Sequence, residues 1–288
     1  MTKLARLSAP LLALMSFAAP ALAAPAMWEV SDGDSKIWLF GSVHVLPDGF
    51  EWRTPLFDAT LAKADKVVFE ADVSPAAQAE IGAKAFATGI YTDGTLLTDL
   101  LSDAQEQRVR AFMASTGIPM GSILAMKPWL AVNTISVAAM TELGMSAQGV
   151  EFVVQPELPP ERVGYLETGD EQLAVLSTGS DAEQLAMLDV TLEQVDLLPK
   201  MLQKMLRGWS TGSPERLVKL FEVEMGGHEE AYFDRLLYAR NRNWIAPLEA
   251  MLADNEQALV IVGAAHLVGP HNVLGLLEEQ GYTVTRVQ

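Results

Sequence analysis

Histidine is scarce in this chain, with four residues among 288. Two of the four share one frame. Near the start stands "KIWLFGSVHVLP" and near the end "QALVIVGAAHLVGP". Each is an apolar run, then Gly-x-x-His, then a short apolar step and a proline. The frames are Gly41 to His44 and Gly263 to His266. Glycine just past a strand lets the backbone turn sharply and approach a ligand closely. The histidine three residues on is then offered to the crevice beyond the strand end, where open α/β sheets bind ligands. "KVVFEAD" reads as another strand, ending at Glu70, and "ERVGYLETGD" as a fourth, ending at Glu167. Two imidazoles with one or two carboxylates suit zinc, manganese, cobalt or iron. Fewer than four protein ligands leaves a position for water or substrate, as catalytic metal sites do. A single histidine after a strand is more often a hydrogen-bonded structural residue than a ligand. The repeat in matched context favours a shared site.

Other candidates carry less. His228 in "GGHEEAYF" precedes a helix and His271 in "GPHNV" starts one, so both read as surface or capping residues. Arg240, Asn241 and Arg242 fall on one helix. They suit salt bridging on a solvated face, or an arginine aimed at a substrate carbonyl, carboxylate or oxyanion. Ser42 stands two residues before His44, a spacing that does not by itself make a nucleophile and base. The chain has no P-loop, no dinucleotide fingerprint and no Gly-x-Ser-x-Gly nucleophile.

These residues need elements to hold them. "MWEVSDGDSKIWLF" predicts a β-hairpin around Ser31–Asp34, its second strand running into the first Gly-x-x-His. "TPLFDATLAKAD" follows as a helix with Pro55 in its first turn, then the Glu70 strand. Strand, helix, strand predicts parallel pairing. The middle is helical. Ser102 with Gln105 has capping-box spacing, and "LAVNTISVAAMTELG" is apolar on nearly every side, which predicts burial. Helical periodicity runs from Asp181 to Asn255 with few breaks, and Pro247 predicts a bend. "QALVIVG", "PHNVLGLLEEQG" and "YTVTRV" close the chain as strand, helix and strand. The expected fold is α/β: a mixed, largely parallel sheet built from the N- and C-terminal parts, with a large helical insertion.

Composition bounds the partners. Residues 1–23 hold Lys3 and Arg6, an apolar stretch and the triplet Ala21-Leu22-Ala23, the pattern of a secretory signal peptide cleaved after about Ala23. Residues 24–288 then form the mature domain. The formal net charge is −17, and the leader holds bases but no acid. Such a surface repels nucleic acid and anionic lipid. Zero cysteines exclude disulfides and thiolate metal sites. An exported chain without disulfides suits the bacterial periplasm. "GSILAMKPWLAVNTISVAAM" is interrupted by Lys127, Pro128 and Asn133, so no stable membrane insertion is expected after signal cleavage.

The chain resembles the TraB/GumN family, the TraB/PrgY/Tiki group. The resemblance is carried by "WLFGSVHVLP", "VVFEAD", "KPWLA", "GVEFVVQ", "VGYLETGDEQL", "LLYARNRNW" and "VIVGAAHLVGPHNVLGLLEEQGYTVTRV", in the family's order. The family's two Gly-x-x-His motifs, glutamate and arginine map onto His44, His266, Glu70 and Arg240, and Glu167 matches a further recurrent position. Where many members read Gly-x-Asp, this chain has Gly149-Val150-Glu151. The resemblance implies a fold related to erythromycin esterase-like and haem-binding ChaN-like proteins. It implies a metal-dependent peptidase, since the Tiki members look like metalloproteases using manganese or cobalt. The expectation is a periplasmic hydrolase acting on a peptide or another small molecule. A divalent metal (Mn, Co or Zn) would sit on His44, Glu70 and His266, with Glu167 as general base and Arg240 stabilising negative charge. Two alternatives stand beside it: a non-catalytic protein that sequesters a peptide or small ligand, and a metal- or haem-binding module.

Overall fold

The computed structural model describes residues 23–146, 149–225 and 230–288. The expected leader (except Ala23) and His228 lie outside the described residues. Eight strands are described: β1 (Met27–Ser31), β2 (Lys36–Ser42), β3 (Leu46–Pro47), β4 (Lys66–Phe69), β5 (Met145–Ser146), β6 (Val163–Tyr165), β7 (Ala258–Gly263) and β8 (Thr283–Arg286). Six of them form one sheet in the order β6-β4-β7-β2-β1-β8, and β3 pairs with β5 in a small second sheet. β6, β4, β7 and β2 run parallel, and β1 is antiparallel to both β2 and β8. The sheet is thus mixed, largely parallel and drawn from both ends of the chain.

The strand-helix-strand reading is refined in one respect. β2 and β4 are parallel but not adjacent, because β7 lies between them and pairs with both. The crossover through the helix Pro55–Lys63 leaves a slot one strand wide, and β7, from the C-terminal part of the chain, fills it. β7 is buried at every residue, as a strand with neighbours on both edges and helices on both faces must be.

Alternation along the strands divides the core. Trp38, Phe40, Val67, Phe69, Leu259 and Ile261 face one side, where Phe57 and Leu61, Val150 and Val154, and Trp209 and Leu217 pack on them. Ile37, Leu39, Val68, Val260 and Val262 face the other, against Trp244, Leu248 and Leu252 of the helix Ala239–Ala253 and Leu274 and Leu277 of Val273–Glu279. Period-two alternation produces this division directly. A third cluster joins the helices Asp103–Thr116, Pro128–Glu142 and Asp181–Gln194 into the expected helical insertion. Ser102 and Gln105 form the predicted capping box. The Pro128–Glu142 helix buries Trp129, Ala131, Val132 and Ile135 but leaves Val137 66% exposed, so its apolar surface is only partly covered.

Two details aim the site. Past His44 the chain is anchored by Trp52, which meets Phe57 edge-on at 4.9 Å between centroids, while Phe57 meets Phe40 at 4.8 Å. Such pairs add about 0.5–1.5 kcal/mol each beyond area burial. Before Arg240 the helix widens into a π turn over Asp234–Tyr238. Pro247 is accommodated inside the helix that follows. No helix among the described residues is long and apolar enough to cross a membrane.

Candidate functional site

The parallel register sets Ser42 opposite Gly263, so the two Gly-x-x-His frames leave adjacent strands at the same sheet edge. Each frame's glycine meets the other frame. A Cβ on Gly41 would stand 3.3 Å from Ala264. One on Gly263 would stand 3.2 Å from Glu70 Oε1 and 3.3 Å from His44 Nε2. Glycine there leaves the floor of the site open. β4 pairs with β7 on its other edge and delivers Glu70 beside the same floor, where the Gly263 N–H donates to Glu70 Oε1 at 2.6 Å. Glu167 follows from β6, its N–H donating to the Glu70 carbonyl. The structure therefore brings His44, Glu70, Glu167, Arg240 and His266 together.

The two histidines are held differently. His44 Nδ1 lies 3.1 Å from Glu151 Oε1, and 57% of its side chain is exposed. The Glu151 carboxylate raises this imidazole to about 9, against some opposition from desolvation. Ser42 Oγ donates to the same Glu151 oxygen, while Glu151 Oε2 is buried with no hydrogen-bond partner among the described residues. Gly149 explains how Glu151 arrives. A Cβ there would overlap the His44 backbone at 2.2 Å, and the Val150 N–H donates to Val43, so the Val150–Val154 helix starts directly beneath His44.

His266 is 3% exposed and lies against Trp244, the ring centroids 4.3 Å apart and the planes tilted by 41°. Its Nδ1 lies 2.5 Å from Asn241 Oδ1, and Asn241 Nδ2 donates to the His271 carbonyl at 2.8 Å. That second bond fixes the amide, so its oxygen must accept from His266. Nδ1 therefore carries the proton, and Nε2 presents a lone pair. Burial lowers His266 to about 3, more than Glu70 restores, so the ring is neutral near pH 7.

Arg240 lies between the acids. Its Nη2 donates to Glu70 Oε2 at 2.5 Å and to Glu167 Oε1, and its Nε donates to Glu167 Oε2 at 3.0 Å. Nη1 donates to the Leu236 carbonyl at 3.0 Å and faces His266 Nε2 at 3.1 Å. A guanidinium has five N–H donors, and these contacts engage all of them. Burial pushes the Glu70 carboxyl up, but His266, His44, Arg240 and the Gly263 N–H together hold it at about 2. With His266 neutral, His44, Arg240 and the Gly263 amide are the lasting stabilisers. Gln172 donates to Glu167 Oε1 at 2.9 Å and reaches Glu70 Oε2 at 3.3 Å.

The donor set can be tested for a divalent cation. His44 Nε2 and His266 Nε2 stand 4.0 and 3.7 Å from Glu70 Oε1, above the bare floor of Gly263. Both Nδ1 atoms are held by an acceptor, the arrangement that orients metal-ligating histidines. The donor types fit a cation bound by two histidines and a carboxylate. His266 already presents its Nε2 lone pair, and His44, raised to about 9, would release its Nε2 proton to the incoming cation. Donors around bound zinc stand about 3.3 Å apart, given bonds of about 2.0–2.1 Å in tetrahedral array. The present spacing is wider, and no group of three His, Cys, Asp or Glu among the described residues is set for a metal as it stands. A cation at His266 Nε2 would also replace the Arg240 contact there, leaving that nitrogen its bond to Leu236.

Sequence reasoning gave Asn241 no role of its own and no firm one to Glu151. Asn241 is 1% exposed beside the exposed Arg242, which pairs with Asp234. Its neighbour Arg240 carried the only signal. Glu151 had one, the Gly149-Val150-Glu151 step, which the packing on His44 now explains.

A model of the TraB/PrgY/gumN family matches residues 26–286. No curated protein and no solved structure matches the chain. The match covers nearly the whole chain, which therefore belongs to the TraB/PrgY/gumN family.

Proposed function

We propose that this family member is an exported, metal-dependent hydrolase acting on a peptide or a related small acyl substrate. One observation carries the reading. Both imidazoles turn Nε2 toward Glu70 Oε1 while their Nδ1 atoms are fixed by Glu151 and Asn241. A structural histidine needs no such convergence. His44, His266 and Glu70 would hold the cation, with manganese, cobalt and zinc all suited to these donors. When bound, the cation supplies an acidified water and polarises a carbonyl. The chain's own residues do the rest. Glu151 holds the Nδ1 proton of His44, and Asn241 that of His266. Arg240 keeps Glu70 ionised and aimed. Glu167, expected as the general base, has both oxygens on Arg240, which suits it to hold the arginine. With a cation on His266 Nε2, one Arg240 Nη1 N–H is released toward a developing oxyanion, while the other donors stay on Glu70, Glu167 and the Leu236 carbonyl. A relationship of the fold to erythromycin esterase-like and ChaN-like proteins, and delivery to the periplasm, belong to the same proposal.

A second reading has its own observation. His44 lies at about 9 and His266 at about 3. Pairs of groups pushed apart in this way serve as acid and base in cation-free hydrolysis. Elemental analysis of the purified protein, with a peptide-library cleavage assay with and without chelator, separates the readings. Cleavage lost on chelation, with His44→Ala and His266→Ala each depleted of metal by roughly tenfold or more, is expected. Cleavage indifferent to chelator assigns the cation-free route. Tight peptide binding without turnover would make the protein a sequestering one and end the hydrolase proposal.

A further inference from the structure

The helices Leu198–Ser210 and Pro214–Met225 form an antiparallel pair that packs its apolar side on the core through Leu202, Met205, Trp209, Leu217 and Val218. Trp209 Nε1 donates to the Gly41 carbonyl at 2.7 Å, which fixes the pair to the end of β2. The outer side is unlike the rest of the molecule. The chain has 37 acids and 20 Lys and Arg residues. Between residues 198 and 225 it has Lys200, Lys204, Arg207, Arg216 and Lys219 against Glu215, Glu222 and Glu224, a local excess of bases in an acidic chain. Lys204, Arg207, Arg216 and Lys219, with Leu220, line a concavity of about 490 Å³. All four cations are exposed.

Elsewhere many basic side chains find acids. Arg53, Lys84, Arg108, Arg110 and Arg242 are ion-paired, several of them doubly. The four cations of the concavity have no ion pair among the described residues, although acids outnumber bases almost two to one in the chain. Packing, moreover, forces them together. A Cβ on Gly208 would meet Leu217 at 3.2 Å and Arg216 Cβ at 3.3 Å, so the helices approach closely at Gly208, the residue after Arg207, and bring Arg216 beside it. Like charges so juxtaposed repel, and an anion in the concavity relieves that repulsion.

We propose that this concavity binds a phosphomonoester. Four cations around one pocket match a group carrying about −1.5 to −2 charges and three strong acceptor oxygens better than they match a single carboxylate. Two guanidinium forks suit phosphate geometry, and two ammonium groups add compact charge. The volume lies within the usual range of about 300–1,000 Å³ for small-ligand pockets. It exceeds the needs of a bare ion, and the Leu220 wall offers contact to an organic substituent. The apolar sides of both helices are spent on the core, so insertion of the pair into a bilayer is not available.

The probe is phenyl phosphate, titrated calorimetrically into the purified chain. A parallel arm sediments the protein with vesicles of phosphatidylcholine alone or mixed equally with phosphatidic acid. Saturable phenyl phosphate binding is expected, weakening with added salt as screening predicts. It should fall by roughly tenfold or more in Arg207→Gln/Arg216→Gln, because two charge-assisted forks are lost. Lys204→Gln/Lys219→Gln should weaken it less and gives the same reading if the arginine variant does not fold. Lys84→Gln, on another surface, should leave it unchanged. Binding to the phosphatidic acid vesicles without binding to phenyl phosphate keeps the phosphate chemistry and assigns its source to a lipid headgroup. Binding to neither probe, or binding that survives both double variants, overturns the proposal. So does binding of hexaglutamate in place of the phosphate probes, which would make the face a dock for an acidic protein.

Discussion

His44 and His266 leave neighbouring parallel strands in the same Gly-x-x-His frame, and there the likeness stops. His44 is more than half exposed and faces a carboxylate through Nδ1, while His266 is sealed under Trp244 and faces an amide. The first is raised to about 9 and the second lowered to about 3. A shared frame fixes where an imidazole starts, and the element packed behind it decides its charge. Glu151 comes from a short helix under β2, and Asn241 from the long helix across the other face of the sheet.

The largest effect should come from removing what both histidines share. Glu70→Ala leaves Arg240 buried with one acid instead of two, at a cost of about 3 kcal/mol, the low end for a broken buried pair because Glu167 remains. Urea denaturation reads the loss. A cost under about 1 kcal/mol would mean that the Glu70–Arg240 contact contributes little and that each frame stands by itself. Exchanging the partners should come next. Asn241→Asp gives His266 a carboxylate and should raise its titration point by about one to three pH units. Glu151→Gln removes the carboxylate from His44 and should lower it by a similar amount. Imidazole proton shifts followed by NMR measure both, and unchanged titration in either variant would break the comparison.

The wild type should show the contrast in its pH dependence. Free histidine titrates near 6.5. His44 is raised in the fold, so its contribution to stability is whole below pH 6.5 and is lost as pH climbs through about 9. His266 is lowered, so its contribution is whole above pH 6.5 and is lost as pH falls toward about 3. Denaturation midpoints should therefore fall on both sides of pH 6.5. Glu151→Gln should flatten the alkaline limb only. The smallest effect concerns the frame glycines. Gly41→Ala and Gly263→Ala should each cost about 1 kcal/mol, since the first presses on the Ala264 backbone and the second on side-chain ends, both at 3.2–3.3 Å. Only Gly263→Ala puts a methyl group between Glu70 and His44, so only it should depress metal uptake. Equal depression by both variants would mean that the floor of the site is not where the glycines differ.

Much of this was legible in the sequence, for reasons that locate what was not. β2, β4 and β7 announced themselves by apolar, β-branched runs, and Glu70 and both histidines by standing where those runs stop. Local pattern suffices for that. The position of β7 between β2 and β4 was not legible, because strand order depends on which slot a crossover leaves open. The exposed face of the Pro128–Glu142 helix was not legible either, since an all-apolar helix does not state which side its neighbours cover. The full engagement of Arg240 was hidden for a similar reason. Arg-Asn-Arg on an acidic protein reads as a solvated face, and only the packing of that helix across the sheet separates the buried Arg240 and Asn241 from the exposed Arg242.

The slot that β7 fills also sets a timetable. Glu70 and the Gly263 amide that holds it are 193 residues apart in the chain. β2 and β4 have no ladder with each other to lean on until the last central strand arrives. Pairings of such long range make for slow folding. A ribosome would complete β2, β4 and nearly all the helices before the site's floor existed, and a chain stopped short of Gly263 would have His44 beside Glu151 but neither that floor nor His266. The cleft is thus assembled last, and only a chain translated past His266 holds all of its residues.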